Sequence, residues 1–463
     1  MNKQSIQFLF FIFLLIVIAC QNSNEISPPE FKSFPVKSIS EIEVNDFVPS
    51  TECESCHPIH FEEWSHSMHA LSIKDPVFLL KWEEEQNLHT DTGERFCIQC
   101  HSPISFVTGT YLDNIKTIED MENSGIAEVI QEGIGCDFCH SITRASRGGN
   151  PNGVEIEDNL EATAEYNLYP GEGVKYGPIE SPVETNYHTS EFNSLYRSSA
   201  VCLPCHNMTV RSVKAEMTFT EWNDEPEFQM TGIHCQECHM LSSTGKAAIN
   251  GPDREIHSHT FVGVDLDLSQ PAETSPQFDD VTTLLKDAVA LEIDGLIENI
   301  DVGDTLEIPA VVISKTGHSL PSGVSFSREA WLELVVRIND NIIFSSGVVT
   351  SNTSPLDMSD VNLLLFTTYL LKNEAGDTTN FVSEAHGIID NTLKAASQRS
   401  HVYKFKLLEN MILGNSNGKI IIQLRMLFRS FKPGLLQAHS ALLENLAIFE
   451  MASIVDTVYI QSP

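Results

Sequence analysis

Basic side chains are scarce in this sequence. Against 28 lysines and arginines stand 64 aspartates and glutamates, a net charge of -36 over 463 residues. A surface that acidic repels polyanions, which excludes nucleic acid as a partner and favours proteins that present a basic face. Long apolar runs are nearly absent as well. The one uninterrupted stretch, Phe8 to Ala19, falls short of the roughly 20 residues that a membrane-spanning helix needs. Cysteine is missing after Cys238, so the last part of the chain can hold neither a disulfide nor a thiolate metal site.

What is present begins at the N-terminus. "MNKQSIQFLFFIFLLIVIAC" has an early lysine, a short apolar core and a small-residue end, the pattern of an export signal. Its "VIAC" ending, followed by polar "QNSNE", resembles a bacterial lipoprotein lipobox, which implies that Cys20 is acylated. An ordinary cleaved signal and an uncleaved anchor are the alternatives. Several acyl chains on one cysteine hold a protein to a membrane stably, where a single chain does not. The expected protein is therefore exported, a membrane-anchored lipoprotein of the periplasm or cell surface. Residues 1–20 are its signal peptide and the Pro-containing polar stretch 21–46 is a flexible tether.

Ten of the 11 cysteines form five pairs of identical spacing, and Cys20 is the eleventh. The pairs are Cys53 and Cys56, Cys97 and Cys100, Cys136 and Cys139, Cys202 and Cys205, and Cys235 and Cys238. Disulfides, zinc sites and covalent haem all use C-x-x-C pairs in an exported protein. The next residue decides between them: it is histidine five times out of five (His57, His101, His140, His206, His239), although the chain has only 17 histidines. Neither disulfides nor zinc require that residue there. Haem c does, because the thiols bond the porphyrin and the following imidazole ligates the iron. The sequence thus implies five covalently bound haem c groups.

The motifs lie within residues 47–265, a region of short helical patterns separated by Gly/Pro/Asn-rich loops, the expected form of a mostly α or irregular multihaem domain. "GIGCDFCH" (133–140) and "GIHCQECH" (232–239) echo one another, a trace of a duplicated haem-binding unit. From about residue 278 to 463 the pattern changes to β-type runs such as "DTLEIPAVVIS", "AWLELVVRI" and "KIIIQLRMLF", with one helical stretch, "GLLQAHSALLENLA". The expectation there is an all-β, sandwich-like domain.

"CESCHPIHFEEWSHSMHA" resembles the opening motif of the cytochrome c554-like multihaem c-type family, through Trp64, Ser67, His69 and Ala70. The resemblance covers about residues 47 to 265 and implies a second, distal iron ligand in His69. "NYHTSEFNSLYRSSAVCLPCH" and "IHSHTFVG" are similar to later parts of such domains, which implies the same role for His188 and His259. "KTGHSLPSG" resembles a segment that follows the haem domain in some exported multihaem cytochromes, pointing to His318 from the β-region; a solvent-exposed loop histidine is the alternative. For a fifth distal ligand His66 is the reserve, with a propionate contact or solvent exposure as its other reading. His257 stands behind His259. His234 is badly placed to cross its haem, and His60, His89, His386, His401 and His439 carry no positional signal. Met68, Met208 and Met240 fit packing around a macrocycle better than ligation.

The function expected from these features is electron transfer along closely packed, mainly bis-His haems. Redox partners would be other cytochromes or a quinol-linked membrane complex. The competing reading is an oxidoreductase acting on a small nitrogen or sulfur compound at a five-coordinate haem. Pentahaem nitrite reductases typically replace one motif histidine by lysine, and none is replaced here. For the β-region the expectation is a docking or haem-shielding role, since no catalytic constellation is visible in it.

Overall fold

The structure is a computed structural model that describes residues 34–88, 93–110, 112, 115, 117–147, 164–210, 213–412 and 418–461. Cys20 and His89 lie outside these residues. Val36 to Pro463 form one compact unit. The tether expected through Asp46 ends earlier: short 3-10 turns at Ile39–Glu41 and Val44–Asp46 bring Ile42 and Phe47 into a core, which a free tether could not do.

The haem-motif part is built from short pieces, each with a local reason to start or stop. Helix α1 (Pro58–Ser65) begins with proline at its first turn, directly after His57. Helix α2 (Met68–Leu71) is capped by Ser67, whose hydroxyl accepts the Ala70 N–H at 3.3 Å. The single helical pattern read from "HFEEWSHSMHALS" is therefore two helices, broken where Ser67 turns the chain. Helix α3 (Pro76–Leu88) starts on Asp75, whose carboxylate accepts the Phe78 N–H at 2.7 Å, and α4 (Gly93–His101) carries the second motif. Further on come α5 (Thr218–Asn223) and α6 (Pro226–Thr231), with four two-stranded sheets among the motifs.

A ten-residue helix, α7 (Phe278–Asp287), opens the β-rich part. Three strands, β1 (Val289–Ile293), β3 (Thr305–Ser314) and β7 (Gln398–Lys406), form a sheet of order β7-β3-β1. A six-stranded sheet runs β2 (Asn299–Ile300), β9 (Phe449–Ile460), β8 (Lys419–Arg429), β4 (Glu329–Ile338), β5 (Asn341–Ser346), with β6 (Leu365–Phe366) also on β4. A small sheet joins Thr368–Leu371 to Thr378–Thr379 and Gly387–Asp390. The run "NLLLFTTYLL" is thus shared between two sheets, and the helical stretch near the end is two short helices, Pro433–Leu436 and Ser440–Glu444.

Alternation explains which faces are buried. Leu306, Ile308, Ala310 and Val312 of β3 share one core with Leu332, Leu334 and Val336 of β4 and Ile420, Ile422 and Leu424 of β8. The other face of β4 is covered too: Trp331 packs on Leu356 and Leu427, and its indole N–H donates to the Gly347 carbonyl at 2.9 Å. Buried Arg429 pairs there with Glu329 and donates to the Asn352 and Ser354 carbonyls at 2.7 and 2.9 Å, so the ion pair is fully bonded. Val77 and Val262 from the motif part, and Leu266 and Leu268 just after it, enter this same core.

Candidate haem sites

Eight of the nine nominated histidine ligands stand in four ring pairs with one common spacing. His57 faces His188, His69 faces His206, His140 faces His259 and His239 faces His318, each with ring centroids 6.3 Å apart. The rings are tilted by 20° to 40° in these pairs. That separation lies toward the far end of the range for aromatic rings in contact. Metal–nitrogen bonds of roughly 2 Å on both sides, with half of each ring added, span a gap of this size.

Hydrogen bonds fix which nitrogen is free. The Nδ1 atom lies 2.5 Å from the Ala247 carbonyl in His57, 2.7 Å from that of Tyr176 in His140 and 2.6 Å from that of Val262 in His239. His259 and His318 turn Nδ1 to the carbonyls of His257 and Ser319, both at 3.0 Å. An Nδ1–H given to a carbonyl leaves the Nε2 lone pair for a metal. Burial favours the neutral form in five of these rings, as ligation needs. It pushes His69 and His259 down to about 3 and His239 to about 4, and lowers His140 and His188 as well. These residues fit haem c: thiols in C-x-x-C-H motifs, imidazoles of which five give Nδ1–H to a carbonyl, and paired rings set one metal apart.

His101 differs. Its Nδ1 engages the Ser72 carbonyl at 2.9 Å and burial lowers its pKa to about 4, yet no second imidazole stands at the common spacing among the described residues. The Phe78 ring lies flat on it instead, 3.9 Å away and 13° from parallel. His66 is not drawn in; its exposed ring turns to the Glu62 carbonyl at 3.0 Å. His257 bonds the Met240 carbonyl and His234 bonds Ser199. His60 packs on His259 at 4.5 Å and lies 3.5 Å from Glu63.

Phe261 wedges between two of the pairs, with its ring 4.4 Å from His69 and 5.5 Å from His259. Its φ of 46° is a left-handed value that a bulky side chain adopts only when its surroundings enforce it.

The motifs themselves repeat in a manner only hinted at by the sequence. Ser50 precedes Cys53 by three residues and Ser199 precedes Cys202 by three. The Ser50 hydroxyl accepts the Cys136 N–H at 3.0 Å, and the Ser199 hydroxyl accepts the Cys235 N–H at 3.1 Å. The Trp64 indole donates to the Ile134 carbonyl and the Trp222 indole to the Ile233 carbonyl, both at 2.9 Å. Phe61 donates its N–H to the His57 carbonyl, as Phe219 does to that of His206. Two units, first-with-third motif and fourth-with-fifth, thus share one plan. A signal for it was present: "FEEW" at 61–64 and "FTEW" at 219–222 are one F-x-E-W pattern, additional to the two G-I-x-C echoes.

Thiols bring neighbouring motifs together. Cys53 lies close enough to Cys136, Cys100 to Cys205, Cys202 to Cys235 and Cys139 to Cys205 for the thiols of each pair to interact electrostatically.

Residues 52–141 match the family model described as cytochrome c554 and c-prime. Among solved structures, the fold is similar to a penta-heme cytochrome c552 from Thermochromatium tepidum, at 17% identity and a TM-score of 0.61, over 90% of this chain and 100% of that one. The CARDB domain of a Pyrococcus furiosus protein matches at 8% identity and a TM-score of 0.17, covering 37% of this chain and 87% of that one, which is too slight to bear on the fold. None of the curated proteins matches the sequence. The fold is that of a multihaem cytochrome, with a β-rich C-terminal part.

Proposed function

Taking the chain as a multihaem c-type cytochrome, by its motifs, its c554-type segment and its fold, we propose that it carries single electrons along five haem c groups, four of them held by two imidazoles. The ligand pairs are His57 with His188, His206 with His69, His140 with His259, and His239 with His318. The observation that carries this reading is the single 6.3 Å spacing shared by all four pairs. Haem supplies the one-electron chemistry; the protein's part is to fix spacing and to tune potentials by ligation, burial and charge. Thiol proximity supports an order in which haems one and three adjoin, three leads to four, and four adjoins both two and five. The β-rich part, read as two facing sheets of a sandwich, shields the fifth haem and lends it His318.

The same reading has the chain exported, acylated on Cys20 and anchored at the periplasm or cell surface. Its partners are then other cytochromes or a quinol-linked membrane complex with a basic docking face, which the net charge of -36 supports. The test is spectroscopic. Haem content should be five per chain, and electron paramagnetic resonance of the oxidised protein should show four low-spin bis-imidazole haems. A mainly high-spin spectrum would end the electron-wire reading.

A second reading rests on His101. Lacking an imidazole partner among the described residues, its haem is open to a small ligand, and reduction or oxidation of a nitrogen or sulfur compound could occur there. Carbon monoxide should then bind one haem per reduced chain. Turnover of nitrite, hydroxylamine or tetrathionate would make the protein an enzyme; neither binding nor turnover would leave it a carrier.

A further inference from the structure

Each repeated unit carries one acidic side chain, at the same place in its F-x-E-W turn, to which the ligand set gives no role. Glu63 stands just before Trp64, and Glu221 just before Trp222. Glu63 Oε2 accepts the backbone N–H of His259 at 2.8 Å. Glu221 Oε2 accepts the backbone N–H of Ser319 at 3.0 Å and the Ser322 hydroxyl at 2.8 Å. His259 faces His140 and His318 faces His239, so each carboxylate grips the segment that brings the distal imidazole to the second haem of its own unit.

The geometry points to Glu63 and Glu221 as matching positioning residues, each setting the distal histidine of one haem through a carboxylate bond to the backbone N–H of that histidine (Glu63 to His259) or of the residue after it (Glu221 to Ser319). This rests on the bis-imidazole reading above. Neither histidine sits in a helix or strand that would hold it: residues 258–264 and 315–319 have no regular structure. A ligand on such a loop is held by whatever its backbone bonds, and a bond to a carboxylate is roughly twice as strong as a neutral one. Neighbours reinforce both grips. Thr218, on the same helix α5 as Glu221, accepts the Gly323 N–H at 3.0 Å and bonds the Ser322 hydroxyl at 2.7 Å. Gly317 presses on Phe228 of α6 so closely that a Cβ would lie 3.0 Å from the ring, and glycine lets the turn approach. In the first unit His60 packs on the His259 ring and reaches Glu63. His60, Glu63 and His259 lie close enough to suggest a separate metal site, but His259 cannot serve that metal and a haem iron together, and the brace accounts for all three contacts.

The experiment uses full-length, haem-loaded protein and reads spin state by electron paramagnetic resonance and visible absorption. Glu221→Ala should turn one haem equivalent from low-spin to high-spin, and Glu221→Gln, which keeps an acceptor oxygen, should restore the native spectrum. Glu63→Ala and Glu63→Gln should repeat this pattern, giving an independent arm should either alanine variant not accumulate. His318→Ala and His259→Ala mark the full loss of one ligand. Glu221→Ala and Glu63→Ala spectra like the native one, beside high-spin His318→Ala and His259→Ala, would overturn the positioning role. Glutamine variants as high-spin as the alanine ones would overturn the acceptor mechanism. Low-spin His318→Ala and His259→Ala would instead overturn the ligation reading itself.

Discussion

The two haem-pair units share a plan but differ in what they enclose. From Trp64 to the Ile134 carbonyl that it bonds, the chain runs 70 residues; from Trp222 to Ile233 it runs 11. The extra chain in the first unit contains α2, α3, α4 and the Cys97–His101 motif. The motif whose histidine has no imidazole partner among the described residues is thus carried by an insertion, while the four motifs of the shared plan all have one. The units also solve one local problem in opposite ways. The Ser50 N–H, at the head of the first unit, is accepted by Glu132 at 2.8 Å; the matching Ser199 N–H is accepted by His234 Nδ1 at 3.4 Å. Glu132 reaches in because Gly135 has no side chain: a Cβ there would fall 2.0 Å from its carboxylate. At the matching position the second unit has His234, whose ring makes the bond itself. Gly133 and Gly232, at φ of 69° and 67°, make the same left-handed turn before each. A shared scaffold therefore tolerates different fillings, provided the serine N–H is bonded.

Exchanging the fillings breaks the comparison most severely. Gly135→His should drive its side chain into Glu132 and cost about 1–3 kcal/mol, with loss of haem from the Cys136 motif. Gly135→His combined with Glu132→Ala should recover most of that, and a double-mutant cycle on thermal melts measures the coupling. A smaller and symmetrical effect is expected from Ser50→Ala and Ser199→Ala. Each leaves a cysteine N–H without its acceptor, at about 1–2 kcal/mol in urea melts, and markedly unequal costs would argue against a common plan. The smallest effect separates the units by pH. Burial raises the Glu132 carboxyl from 4.5 to about 7. A raised acid stabilises the fold fully below pH 4.5, and that contribution is lost as pH rises through about 7. The native melting temperature should fall across this window, and Glu132→Gln should flatten the decline.

Much of this was legible in the sequence because the chemistry of haem c leaves no choice of spacing: two thiols and an imidazole must follow in order, and C-x-x-C-H marks every motif. Imidazole pairing was less accessible. His69, His188, His259 and His318 carry no common local pattern, since a distal ligand need only reach its iron from somewhere, and resemblance rather than spacing nominated them. Glu63 and Glu221 gave a usable signal, F-x-E-W twice, but a four-residue match means little until the bonds beneath it are seen. The long connection in one unit, 70 residues against 11, and a hairpin, Met208–Val210 with Val213–Glu216, in the other hid the repeat. In the β-rich part, strand faces followed from alternation in β3 and β8. β4, with both faces covered, gave only an apolar run, and whether its second face is buried depended on where residues 347–364 fold.

The four imidazole pairs also have an order along the chain. Written by position they run 57 to 188, 69 to 206, 140 to 259 and 239 to 318, and each span overlaps the next. With an iron in each, four loops of about 80 to 140 residues are closed and chained together. Loop-closure entropy grows only as the logarithm of length, by about 0.6 kcal/mol per doubling, so length favours no loop strongly. On the proposed ligation, the order in which the chain emerges would then set the order of closure. If the chain is exported N-terminus first, the first haem would gain its proposed second ligand when residue 188 appears, and the last would wait for residue 318, after β3 has followed the motifs out. On that reading the β-rich part would be the final clasp on a series of overlapping loops, and an interrupted chain would be left with its last loop unclosed.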